Sequence, residues 1–159
     1  MDGLTHLKNL TLYSKQITDA GLVHLKGMNL KKLTLPTQAR TDIGLKHYLA
    51  MIGPTTTVNG RRKTTLKLTG WQITDSGLAR LSDLKELTEL ELNETSITDA
   101  GLVHLKAMTN LRALGLMYTQ ITGEGLVHLK ELTKLETLFL SQNQITAAGL
   151  VYLKDLTKL

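Results

Sequence analysis

Apolar positions in this chain follow two rhythms that alternate along its length. The first is a step of two. In "LRALGL" (111–116) Leu114 and Leu116 share one face of a strand, while Ala113, Gly115 and the following Met117 share the other. The second is a step of three. In "TDAGLVHLKAM" (98–108) Leu102, Leu105 and Met108 line one side of a short helix, with Thr98 or Asp99 in an N-cap position. An isoleucine between the two, such as Ile121, turns inward. The spacing therefore predicts a unit of strand, turn, helix and return.

The unit recurs. The strand motif reads "LKNLTL" at Leu7, "LKKLTL" at Leu30, "KTTLKL" at Lys63, "LTELEL" at Leu87, "LRALGL" at Leu111 and "LETLFL" at Leu135. The helix motif reads "QITDAGLVHLK" (16–26), "ARTDIGLKHYL" (39–49), "QITDSGLARLS" (72–82), "SITDAGLVHLK" (96–106), "QITGEGLVHLK" (120–130) and "QITAAGLVYLK" (144–154). One unit cannot hide its own leucines, so neighbours must stack and their strands must join in a parallel sheet. A pattern of L-x-x-L-x-L, a polar turn and I-T-D-x-G-L-x-x-L resembles the leucine-rich repeat family, from about Leu4 to Leu159. It looks closest to the subclass of many bacterial repeat proteins and of F-box substrate receptors. The resemblance implies an α/β right-handed solenoid of six repeats of 23–24 residues. Its parallel sheet would line a concave face and its short helices a convex one. The expected organisation is one domain over 1–159, cut from or lacking the caps of a longer array.

Breaks in the rhythm carry as much information as the rhythm. Gly21, Gly44, Gly77, Gly101, Gly125 and Gly149 share one helical phase, although glycine costs ~1 kcal/mol against alanine in a helix. Either a side chain there meets the neighbouring coil, or the backbone takes a conformation open only to glycine. In the second unit Arg40 replaces the inward isoleucine and Pro36 removes a strand-end N–H. The loop is expected to rearrange, with the guanidinium reaching water or a carboxylate. At the turn position before the isoleucine, Thr95, Thr119 and Asn143 are small polar groups suited to bonding the turn backbone, whereas Trp71 is not. The indole either covers the fault beside the second unit or meets a partner. Between Gly44 and Gly77 nine or ten residues are extra, an insertion at about 52–63. Asn59-Gly60 between β-forming residues predicts a protruding β-hairpin whose second arm runs into the next strand.

Composition narrows the function. The chain has 159 residues and no cysteine, which excludes disulfides, thiolate metal sites and cysteine nucleophiles. No apolar run approaches the ~18 residues of a membrane span, and no signal peptide is visible, so no membrane partner is expected and the compartment is open. The net charge of +5 divides unevenly. Residues 81–159 hold 7 basic and 10 acidic side chains, net −3, leaving +8 on residues 1–80. Arg61, Arg62 and Lys63 form a basic run on the hairpin, too short and too poor in aromatics for a nucleic-acid surface. His24, His47, His104 and His128 share a helical phase but sit on separate helices, interrupted by Arg80, so no metal is expected. No phosphate loop, H-E-x-x-H or acid–base carboxylate pair stands out, so no cofactor and no catalysis are expected.

The resemblance implies a protein or peptide partner on the concave face. The positions facing it begin polar and basic, turn acidic at Glu89 and Glu91, and end apolar with the chain's one phenylalanine, Phe139. Phe139 and Met117 over a floor of Ala113 and Gly115 suggest an anchor pocket bordered by the two glutamates. Candidate contacts are Tyr13, Lys32, Lys67, Trp71, Glu89, Glu91, Met117, Tyr118 and Phe139, with Arg61 and Arg62 on the insertion. Six strands ~4.8 Å apart would give a strip about 24 Å across. Solenoid ends without caps suggest, as the alternative, a structural module stacking end to end as a homo-oligomer.

Overall fold

A computed structural model describes residues 6–52, 56–58 and 61–159. They belong to two compact units, residues 1–53 and 54–159. In the first, β1 (Asn9–Thr11) and β2 (Lys32–Thr34) pair in parallel with Asn9 opposite Lys32. A 3-10 segment, Asp19–Leu25, joins them, and α1 (Asp42–Ile52) follows. Leu22, Leu30, Leu33, Leu35, Leu45 and Met51 are buried.

The second unit opens with an antiparallel pair, β3 (Thr56–Val58) and β4 (Arg61–Lys63), with Val58 opposite Arg61. This is the pairing expected of the insertion; the Asn59-Gly60 turn itself lies outside the described residues. After it come β5 (Thr65–Lys67), β6 (Glu89–Glu91), β7 (Ala113–Gly115) and β8 (Thr137–Phe139), a parallel sheet in that order. Each strand lies opposite the residue 24 positions on: Thr65 faces Glu89, Glu89 faces Ala113, and Ala113 faces Thr137. Between strands the chain returns through α2 (Asp75–Ala79), through α3 (Asp99–Leu102) with its 3-10 extension, and through the 3-10 segment Glu124–Leu129. The step-of-two leucines (Leu66, Leu90, Leu114), the turn isoleucines (Ile73, Ile97, Ile121) and the helix leucines (Leu78, Leu102, Leu126) are all buried. Each such side chain contributes about 1.5–3 kcal/mol by leaving water.

The expected strip of six strands is divided. Hydrogen bonding joins two parallel strands in the first unit and four in the second, so the longer strip is about 14 Å across at ~4.8 Å per strand. The division falls where the rhythm fails, after Pro36 and at the inserted hairpin. Arg40 is half-buried, and its Nε donates to the Leu35 carbonyl at 2.7 Å. The loop does rearrange, into a 3-10 turn over Thr37–Ala39 with Ala39 wholly buried.

The repeated phrase "ITDxG" is a junction between coils. Asp75 accepts the Thr98 N–H at 2.9 Å on one carboxylate oxygen and the Thr98 hydroxyl at 2.7 Å on the other. Asp99 repeats this with Thr122 at 2.8 and 2.5 Å. In the first unit Asp19 accepts the Thr41 hydroxyl at 2.6 Å. The threonine, not the aspartate, caps the helix: Thr98 Oγ1 accepts the Ala100 N–H, and Thr74 Oγ1 accepts that of Ser76. The glycine follows from this geometry. A Cβ on Gly101 would lie 2.2 Å from Asp75 Oδ1, and one on Gly125 would lie 2.1 Å from Asp99 Oδ1. At these two positions crowding decides between the two readings, and the crowding group belongs to the preceding coil.

A second recurrence sits after the strands. Gly70, Glu94, Tyr118 and Gln142, 24 residues apart, all take positive φ, at 70°, 58°, 54° and 61°. The hydroxyls of Thr95 and Thr119 then bond back to the Leu92 and Leu116 carbonyls at 2.7 and 3.0 Å. The Asn143 amide does the same, donating to Leu116 and Leu140.

Gly101→Ala forces Asp75 off Thr98, breaking charge-assisted bonds worth about 1.5–3 kcal/mol against a propensity gain of ~1 kcal/mol. A net loss of about 0.5–2 kcal/mol is expected in urea unfolding. Gly21→Ala, where a Cβ meets nothing within 4 Å, is expected to be neutral or stabilising; equal losses at both sites would sink the crowding account. Gln142→Gly relieves a left-handed residue that costs ~1–2 kcal/mol against a glycine entropy cost of ~0.5–1 kcal/mol. It should raise the urea midpoint by the equivalent of about 0.5–1 kcal/mol.

Candidate binding surface on the four-stranded sheet

Strand alternation buries Leu90 and Leu114 and sets their neighbours on the opposite face, where Glu89, Glu91 and Ala113 are half-buried and Gly115 is buried. The 24-residue register then sets Lys67, Glu91, Gly115 and Phe139 in one cross-strand row and Thr65, Glu89, Ala113 and Thr137 in the other. Across β6, β7 and β8 these rows enclose a hollow of about 220 Å³. Glu89, Glu91 and Asn93 stand on one side, and Ala113, Gly115 and Met117 form the middle. Phe139 closes the far side, 49% exposed on the last strand of its sheet. The floor is low for a reason. Asn93 Oδ1 accepts the Met117 N–H at 2.8 Å, and a Cβ on residue 115 would stand 2.8 Å from that same oxygen.

The acidic rim is engaged from its own sheet. Lys67 Nζ lies 2.5 Å from Glu91 Oε1, and the Thr65 hydroxyl donates to Glu89 at 3.2 Å. The hydrogen bond to Glu91, then its charge, raises the Lys67 pKa above the ordinary lysine range, and the charge of Glu89 adds to this. The pair is exposed, so its net contribution is about 0–1 kcal/mol.

Glu89, Glu91, Met117 and Phe139 thus converge around one hollow, with Lys67 at its margin. The other candidates lie apart from it. Tyr13 is 83% exposed and Lys32 lies exposed on β2, both in the first unit. Tyr118 is exposed in the left-handed turn after β7 and does not line the hollow. Trp71 requires a correction: its side chain is 7% exposed, so the indole packs into the protein and offers almost no surface to a partner. Arg61 and Arg62 fall on β4, and their side chains lie outside the described residues. Asn93, which seats the floor, falls on this face by the strand phase it shares with Met117 but is not among the candidate contacts. Among the described residues no group of three metal-ligating side chains converges, and no helix is long and apolar enough to cross a membrane.

A parallel sheet with one return segment per 24 residues, leucines stacked in register and a carboxylate ladder between coils, defines an α/β leucine-rich repeat solenoid. The comparisons agree. Residues 107–130 and 131–154 match the model of the Leucine Rich repeat family. Similar solved structures include an internalin (inlF) from Listeria monocytogenes, 26% identical with a TM-score of 0.59, covering 98% of this chain and 47% of that one. An internalin C2 (inlC2) from the same organism is 29% identical with a TM-score of 0.58, covering 96% of this chain and 60% of that one. The chain therefore spans about half to three fifths of the length of these relatives. No curated protein matches it.

The Lys67–Glu91 pair has a defined pH signature. Because the folded-state pKa of Lys67 is raised, its contribution is fully present below the ordinary lysine range and disappears as pH rises through the folded value. Lys67→Ala should cost less than about 1 kcal/mol at pH 7, and the difference from wild type should vanish in strongly alkaline urea titrations.

Proposed function

We propose that the chain is a non-catalytic interaction module that binds a protein or peptide segment on the solvent face of the four-stranded sheet. One observation carries this reading: a half-exposed phenylalanine stands over a floor of small residues inside a carboxylate rim, on rigid strands. An exposed aromatic beside a seated floor is the form of an interface anchor. Likeness to the Listeria internalins also supports taking the repeats as the bacterial type; the likeness to F-box receptor repeats rests on the I-T-D-x-G-L phrase alone.

Peptides selected from a random display library against the wild-type protein provide the test, with affinities read by calorimetry. The Glu89→Lys, Phe139→Ala double variant should lower those affinities at least about tenfold, as expected when a buried anchor is truncated. Unchanged affinities would place the contacts elsewhere.

A second reading has its own observation. Leu150 is 53% exposed, although the matching Leu78, Leu102 and Leu126 are buried. Such a face suits end-to-end stacking of copies. Light scattering over a concentration series should then show growth in mass that Leu150→Glu abolishes; a monomer throughout removes this reading.

A further inference from the structure

We infer that the hollow on β6–β8 selects a single arginine side chain of its partner, and that Lys67 is a built-in competitor for the same carboxylates. The inference rests on the sheet-face reading above and gives it a ligand chemistry.

Size comes first. At about 220 Å³ the hollow is smaller than the ~300–1,000 Å³ of sites for drug-sized ligands, so it suits one side chain rather than a folded segment. Chemistry comes second. The middle of the hollow is apolar or nearly featureless (Ala113, Gly115, Met117), one wall is an aromatic ring, and the opposite rim carries two carboxylates. An acidic anchor is repelled by that rim, and a purely apolar one adds no donor to carboxylates that Thr65 and Lys67 already engage. A side chain with an apolar stem and a cationic head meets every part.

Geometry favours arginine over lysine. Glu89 and Glu91 project from the same face of β6, two residues apart, ~6.8 Å along the strand. A guanidinium spreads five N–H donors in a planar fork and stacks on aromatic faces, whereas an ammonium is a compact, strongly hydrated point charge. The arginine stem lies over Ala113 and Gly115 with the Phe139 ring beside it, and its head reaches the rim.

Lys67 already shows what the rim accepts. It is a cation held at 2.5 Å on Glu91, anchored on β5 and exposed to solvent. A contact of this kind is weak enough to be exchanged. An incoming guanidinium must share or displace it, so Lys67 lowers affinity and confines binding to groups that pair with carboxylates better than an ammonium does.

N-acetyl-arginine N-methylamide provides the probe, with its citrulline and leucine counterparts, titrated into methyl-labelled protein and followed at the Ala113 and Met117 methyl signals. Saturable shifts with arginine are expected, with citrulline, the neutral near-isostere, at least about tenfold weaker because the charge-assisted bonds are gone. Glu91→Gln should weaken arginine about fivefold or more, and Lys67→Ala should tighten it by about two- to fivefold, the range of one exposed ion pair. Retained circular dichroism establishes that both variants are folded. Citrulline binding as well as arginine overturns the inference, as does the absence of shifts with all three probes. An unchanged affinity in Lys67→Ala overturns the competitor role. Leucine shifting the same methyls as strongly, without sensitivity to Glu91→Gln, overturns arginine selectivity while leaving the sheet-face reading intact. That reading fails separately, if display-selected peptides ignore the Glu89→Lys, Phe139→Ala change.

Discussion

The second unit is held in register by a carboxylate that serves the coil after its own. Asp75 and Asp99 each take a backbone N–H and a hydroxyl from the next threonine, so one side chain fixes the rotation and the rise between neighbouring coils. The threonine hydroxyl is used twice, donating to the aspartate and accepting the N–H that begins its own helix. The glycine completes the junction by leaving the space in which the carboxylate sits. Threonine, aspartate and glycine are thus one device, and the leucine stack depends on the spacing it sets.

The device also accounts for its own exceptions. Gly123 stands where an aspartate would, and the next coil closes on it directly: a Cβ on Gly149 would lie 2.3 Å from the Gly123 Cα. Loss of the carboxylate is met by backbone approaching backbone, which keeps Gly149 buried. In the last coils, glycine is therefore required at one phase for two different reasons. At Gly101 and Gly125 the neighbour is a side chain; at Gly149 it is main chain.

Much of this was legible in the sequence because both periodicities are exact counts. Steps of two and three identify the buried leucines, and a 24-residue repeat places residues 91, 115 and 139 side by side without any structure. That arithmetic brings Glu91, Gly115 and Phe139 together, and the same arithmetic pairs Lys67 with Glu91, an inference the sequence reading did not draw. Other features depend on local geometry that no count reveals. Arg40 settles on a carbonyl five residues back, which requires knowing how the loop folds. Trp71 follows the left-handed Gly70, and that turn, not the polarity of the surrounding residues, sends the indole inward. The glycine phase announced crowding or unusual φ, but only coordinates identify the aspartate as the crowding group.

Separation of scaffold from surface has a consequence for how such a site can change. The rim side chains of Lys67, Glu91 and Phe139 are open to solvent, so their replacement alters chemistry at little cost in stability. The floor is different. Gly115 is small because Asn93 uses the space beside it to hold the Met117 N–H, and Met117 precedes the left-handed turn that brings Thr119 back to the Leu116 carbonyl. Enlarging residue 115 would fill the hollow and disturb the turn ladder together. The depth of the hollow is therefore set by the fold, and its selectivity by the rim.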